Sequence, residues 1–337
     1  MQTKDAARRG VLNLRVGELV EVRSAAEILA TLDDKGELDA LPFMPEMLQY
    51  CGQQLRVYKV AHKACDTITY SGLRRMRDAV HLTGARCDGQ AHGGCQTACL
   101  IYWKEAWLKR VNPVHNGEVT DESGPSRCTL PLVEANTTKD RAPNGAEVFS
   151  CQATELLRAA PERLPLRDLG QHAQDLRSGN VGLWTMLRTI GVGVFDRIQR
   201  RSTRVLPRWL WFRDGLRWGF LRGTATKTPT GRTDLQPGEL VRVKPKEEIL
   251  KTVNGGLLNR GLSFDHEMLR YCGHEARVLR RVDQVIDEKT GKMLHLKNPC
   301  IILEETICTG AYNASCPRAF YAFWREIWLD RVWDPKS

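Results

Sequence analysis

A chain of 337 residues, 42% of them hydrophobic, has enough apolar surface for more than one core and needs no staples to fold. Its formal net charge of +10 suits a polyanionic partner, although ordinary enzymes carry as much. No run reaches the roughly 18 apolar residues of a membrane span, and the opening residues lack a charged-then-apolar leader, so the expectation is a cytoplasmic protein.

In chain order, GELVEV at Gly17–Val22 alternates like a strand. The EIL segment at Glu27 reads as a helical turn, and EMLQYCG at Glu46 as a short amphipathic turn closed by Gly52. The WKEAWLKRV segment at Trp103 ends the unit and reads as a terminal helix with tryptophans one turn apart. On that helix Glu105 is expected to pair with Arg110. The whole pattern returns at an offset of 221 residues, Gly17 onto Gly238, and holds without a gap to Val332, with roughly a third of the aligned positions identical. GELVRV, EIL, FDHEMLRYCG, ARVLRRVDQVID and WREIWLDRV therefore predict the same elements again, with Glu326 and Arg331 as the matching pair. The organisation expected is a first repeat over 1–111, a linker over 112–237 and a second repeat over 238–337. The linker reads as a Pro-, Asn-, Gly- and Thr-rich connection to about Asn144, then as helices from Ala153. Its last helical stretch carries Trp184, Leu187, Val194, Phe195 and Ile198 on one stripe, expected to pack on a barrel.

Short strands between turns imply mostly β structure with some α: two tandem small β-barrels joined by a partly helical linker. The order strand, F-x-x-E-M-x-x-Y-C-G, strand resembles the Src-homology-three-type barrel of the nitrile hydratase β subunit over about sixty residues per copy. The chain as a whole resembles bacterial proteins of uncharacterised role that carry the same duplicated barrel. Both resemblances imply a fold, and neither implies an activity.

Eleven cysteines in a reducing compartment point to metal binding, catalysis or buried thiols rather than disulfides. The offset maps Cys51 onto Cys272, Cys87 onto Cys308 and Cys95 onto Cys316. Zinc requires thiolates and imidazoles converging from separate segments, usually four in a tetrahedron. In the first repeat Cys87, His92, Cys95 and Cys99 lie close in a Gly-rich segment, with Cys65 or His81 to complete a shell. In the second, Cys300, Cys308 and Cys316 are evenly spaced, with Cys272 as the fourth ligand. Zinc is the first choice, iron or an iron–sulfur cluster the alternative, and plain buried thiols compete with both. Cys51 and Cys272 fit that last reading best.

Between Arg197 and Lys227 nine basic residues face the single acid Asp214, interleaved with Trp209, Trp211, Phe212, Trp218 and Phe220. Arg200, Arg201, Arg204, Arg208, Trp209, Trp211, Arg213 and Arg217 suit an acidic protein, a nucleic acid or an anionic membrane surface. No phosphate-gripping loop, dinucleotide fingerprint or catalytic signature is legible. The expectation is a metal-binding scaffold or binding protein. The alternatives are a metal- or thiol-dependent tailoring enzyme with its site at His92 and Cys99, and a nucleic-acid-binding protein using the linker.

Overall fold

The computed structural model describes residues 12–111, 128–139, 145–218 and 221–333. The predicted connection over 112–144 falls largely outside them, as does Phe220.

Each alternating GELV segment becomes a strand at the heart of a five-stranded antiparallel sheet. In the first repeat the strand order is Leu100–Lys104, Ala79–Arg86, Gln54–Val60, Leu19–Val22, Leu108–Arg110. In the second it is Tyr321–Trp324, Met293–Ile307, Glu275–Ile286, Leu240–Val243, Leu329–Arg331, the same order. Register repeats too: Leu19 faces Arg56 as Leu240 faces Arg277, and Val80 faces Trp103 as Ile301 faces Trp324. The chain is mostly β with some helix, and includes a curled half-barrel sheet.

Equivalent side chains fill both cores. Trp103, Trp107 and Met47 are buried in one, and Trp324, Trp328 and Met268 in the other. The Phe43 ring meets Trp107 edge-on at 5.5 Å, and Phe264 meets Trp328 at 5.4 Å. The indole N–H groups of this pair are satisfied alike, Trp107 donating to Thr31 Oγ1 at 3.1 Å and Trp328 to Thr252 Oγ1 at 2.8 Å.

The terminal helix expected from the tryptophan spacing is not formed. Leu100–Lys104 is strand, Glu105–Trp107 a 3₁₀ turn and Leu108–Arg110 strand, and the second repeat does the same. The Glu105–Arg110 and Glu326–Arg331 pairs are likewise replaced. Glu105 accepts the backbone N–H groups of Leu12, Asn13 and Leu14, and Glu326 those of Thr233 and Asp234. Arg110 pairs instead with Glu18, and Arg331 with Glu239. A carboxylate that caps several amides holds an otherwise unpaired segment against the sheet, and this long-range bond overrides the local helical spacing.

Compact units divide the chain by contacts rather than by repeats. One comprises Met1–Leu183, Ile286–Leu294 and Cys316–Arg318; the other comprises Trp184–Val285, His295–Ser315 and Ala319–Ser337. In the first, two carboxamides of the linker region act as strand surrogates. Gln152 accepts from Tyr102 N at 2.8 Å and donates to Tyr102 O at 2.9 Å. Asn180 accepts from Val60 N and donates to Val60 O, both at 2.8 Å. Gln152→Ala leaves both backbone groups of buried Tyr102 without these bonds, and the expected loss is about 2 kcal/mol in a urea titration. An unchanged midpoint would show that the amide is dispensable.

In the second unit, the long helix Leu183–Val205 buries Thr189 and Gln199. The expected apolar stripe does not pack as predicted: Trp184, Leu187, Val194 and Ile198 are exposed, while Phe195 turns inward onto Phe212 and Trp218. No helix among the described residues is long and apolar enough to cross a membrane.

Candidate metal centre

The loop after the strand Ala79–Arg86 is built on left-handed backbone. Gly89 has φ +77°, and a Cβ there would lie 2.0 Å from the Cys95 carbonyl oxygen, so only glycine fits. His92 and Gly94 N–H groups both donate to Gly89 O, at 3.0 and 2.9 Å, closing the loop on itself. That turn swings His92 over the 3₁₀ turn Pro45–Tyr50, where Glu46 waits.

Among the described residues, one group of at least three His, Cys, Asp or Glu ligand atoms lies mutually within 4.8 Å: Glu46, Cys87 and His92. Glu46 and His92 are buried and Cys87 is half-buried. His92 Nδ1 is 2.6 Å from Glu46 Oε1, and Ala91 N–H donates to the same oxygen at 3.2 Å. His92 Nε2 lies 3.0 Å from the Ser150 carbonyl, which can only accept, so Nε2 carries a proton. Glu46 Oε2 is buried without a hydrogen-bond partner among the described residues. Burial opposes ionisation of Glu46, yet the His92 contact and the Ala91 N–H hold its carboxyl below the usual range. Burial, and then the Glu46 carboxylate, push the Cys87 thiol well above its ordinary value. A divalent ion would reverse that balance, because a coordinating thiol is deprotonated outright.

The three ligand atoms are one oxygen, one sulfur and one nitrogen, all types that zinc takes, and the Nε2–H bond to Ser150 fixes the orientation of the imidazole. Sequence reasoning named Cys87 and His92 and missed Glu46. The available signal was its recurrence in E-M-L-x-Y-C-G, which marked the position without revealing its partner. In the second repeat the aligned set is Glu267, Cys308 and Asn313. There Glu267 accepts from Thr309 N and Oγ1, both at 2.9 Å, and from Ala311 N at 2.6 Å.

The remaining predicted ligands are placed elsewhere. Cys272 packs against the second core. Cys300 sits with Val282 and Ile302, its sulfur 3.4 Å from Arg325 Nη1. Cys308 Sγ accepts from Gly310 N at 3.4 Å. Cys316 belongs to the first compact unit, where its Sγ accepts the Cys65 N–H at 3.1 Å. The aligned contact also exists there, Cys95 Sγ accepting the Ile286 N–H at 3.4 Å. Arg318, buried, donates to Cys65 O, Thr67 Oγ1 and Glu288. Burial opposes ionisation of Cys316, but Cys65 and Arg318 hold it below an ordinary thiol, while the bond to Cys316 and burial push Cys65 well up. Cys99 is pushed up by burial, as is Cys151, to about 11; Cys151 lies outside both repeats.

No family model, curated protein or solved structure matches this chain. The geometry of its own residues therefore carries the functional reading.

Of the predicted partner-binding residues, Arg200, Arg201, Arg204, Arg208, Trp209, Arg213 and Arg217 are exposed and Trp211 is half-buried. The Arg208 guanidinium lies 5.8 Å from the Trp211 ring and that of Arg213 5.6 Å from Trp218.

Proposed function

We propose that this chain is a metal-binding scaffold of two tandem small barrels, with one structural zinc held by Glu46, Cys87 and His92. The observation that carries this reading is the convergence of three chemically different ligand atoms within 4.8 Å, contributed by the 3₁₀ turn and by the loop after the third strand of the sheet. The matched strand order and register of the two sheets support the tandem-barrel part. The ion does for the first repeat what Glu267 does for the second through Thr309 and Ala311: it pins the loop to the 3₁₀ turn.

The test is elemental analysis of the purified full chain. One equivalent of zinc is expected rather than two, because Asn313 stands where His92 would be needed. His92→Asn, which copies the second repeat, should fold normally by circular dichroism and lose the metal. Acidification should release it too, because protons compete with a metal for its ligands. Wild-type protein without metal, with Cys87 freely alkylated, would reduce the site to a loop-pinning ion pair.

A further inference from the structure

We infer that the exposed face of the helix Leu183–Val205, with the turn that follows it, is a docking surface for an anionic lipid bilayer. Trp184, Leu187, Val194, Ile198 and Val205 recur at spacings that place them on one side of an α-helix. All are exposed, Trp184 at 82% and Ile198 at 62%. The rest of the helix has partners: Thr189 and Gln199 are buried, and Phe195, at the edge of the stripe beside Trp184, packs edge-on to Phe212 and Trp218 at 6.0 and 5.5 Å. Asp196 accepts the Trp218 N–H at 2.7 Å, and Gln199 donates to the Phe212 carbonyl. These contacts tie the helix to the turn that follows it and leave its apolar stripe exposed.

Charge selects the occupant. From Trp184 to Arg222 the sequence carries nine arginines against two aspartates. Arg197, Arg200, Arg201 and Arg204 are exposed on the same helix, where their stems can reach past an apolar stripe to lipid phosphates. Beyond the helix, Trp209 is 80% exposed, and an indole with one wet end prefers the headgroup level. A nucleic acid would use the arginines but has no use for a row of bare aliphatic side chains. A second copy of this chain would bring two strongly positive surfaces together. An anionic bilayer meets both requirements.

The experiment uses the full chain with phosphatidylcholine vesicles, with and without phosphatidylglycerol, in co-sedimentation and tryptophan emission. Expected are binding to the anionic vesicles, a blue-shifted emission, and at least tenfold weaker partition onto neutral ones. Arg200→Gln, Arg201→Gln and Arg204→Gln should each weaken partition about fivefold, the effect of one surface charge. Trp184→Ser combined with Ile198→Ser should abolish the blue shift without altering circular dichroism, since both side chains are exposed. Absence of vesicle binding at low salt overturns the inference, as does equal binding to neutral and anionic vesicles. It is also overturned if the serine variant binds vesicles as well as wild type, if only single-stranded nucleic acid is bound, or if that variant merely dissolves a dimer.

Discussion

Asp175→Asn is expected to destabilise the first compact unit by about 3–5 kcal/mol, the cost of breaking a buried ion pair from one side. Asp175 lies on the helix Leu169–Ser178, and its Oδ2 is 2.5 Å from Lys63 Nζ, with both side chains almost wholly buried. Its other oxygen is 3.3 Å from His62 Nε2 and 3.4 Å from Asn180 Nδ2. One carboxylate thus ties a ten-residue helix to the short strand Lys63–Cys65, and a helix of that length is marginal alone. The amide keeps the shape and removes the charge that balances the Lys63 ammonium. A urea titration should show the loss, with proteolytic cleavage rising around residues 169–180. Removing both charges together, as Lys63→Met with Asp175→Leu, should recover most of it. A single-variant loss below about 1 kcal/mol would mean that Lys63 is balanced in some other way.

Acid should weaken the protein well before its carboxylates titrate. Burial holds the His62 imidazole down to about 4 and His81 to about 3, against roughly 6.5 in an unfolded chain. Both are bases depressed by folding, so between those values the unfolded chain binds the additional protons. Stability is therefore complete above about pH 6.5 and falls with acidification, by about 1.4 kcal/mol per pH unit for each imidazole. Between pH 7 and 5 the two together should remove about 4 kcal/mol. His81 Nδ1 faces the Ile101 carbonyl at 2.8 Å and must donate to it, which is compatible with the neutral ring. His81→Ile, the residue found at the aligned position 302, should halve the slope. Stability that stays flat from pH 7 to 5, or imidazole resonances titrating near 6.5, would refute the assignment.

The duplication was fully readable in one dimension, because equal offsets in sequence become equal registers in a sheet. The hairpin Glu37–Leu38 with Leu41–Pro42 recurs as Leu258–Asn259 with Leu262–Ser263, and the turn Pro45–Tyr50 as His266–Tyr271. The Glu46, Cys87 and His92 cluster was half readable: Cys87 and His92 share a Gly-rich loop, whereas Glu46 reaches them from forty-six residues before His92. The W-x-E-x-W segment misled, since two tryptophans four residues apart satisfy both a helical stripe and a strand followed by a 3₁₀ turn.

By itself the sequence determined the repeated strands, their turns and the basic aromatic arm, all of which follow from local periodicity, glycine placement and charge. Tertiary structure alone decided which cysteines meet which partners. Cys316 accepts from Cys65, Cys95 from Ile286, and Cys300 settles among aliphatic side chains. It also decided that Glu105 and Glu326 would bind distant amides and not a neighbouring arginine. The physical reason is that a buried carboxylate or thiol is satisfied by whichever donor the packed chain brings within hydrogen-bond reach, and that proximity is not written into the spacing of the residues.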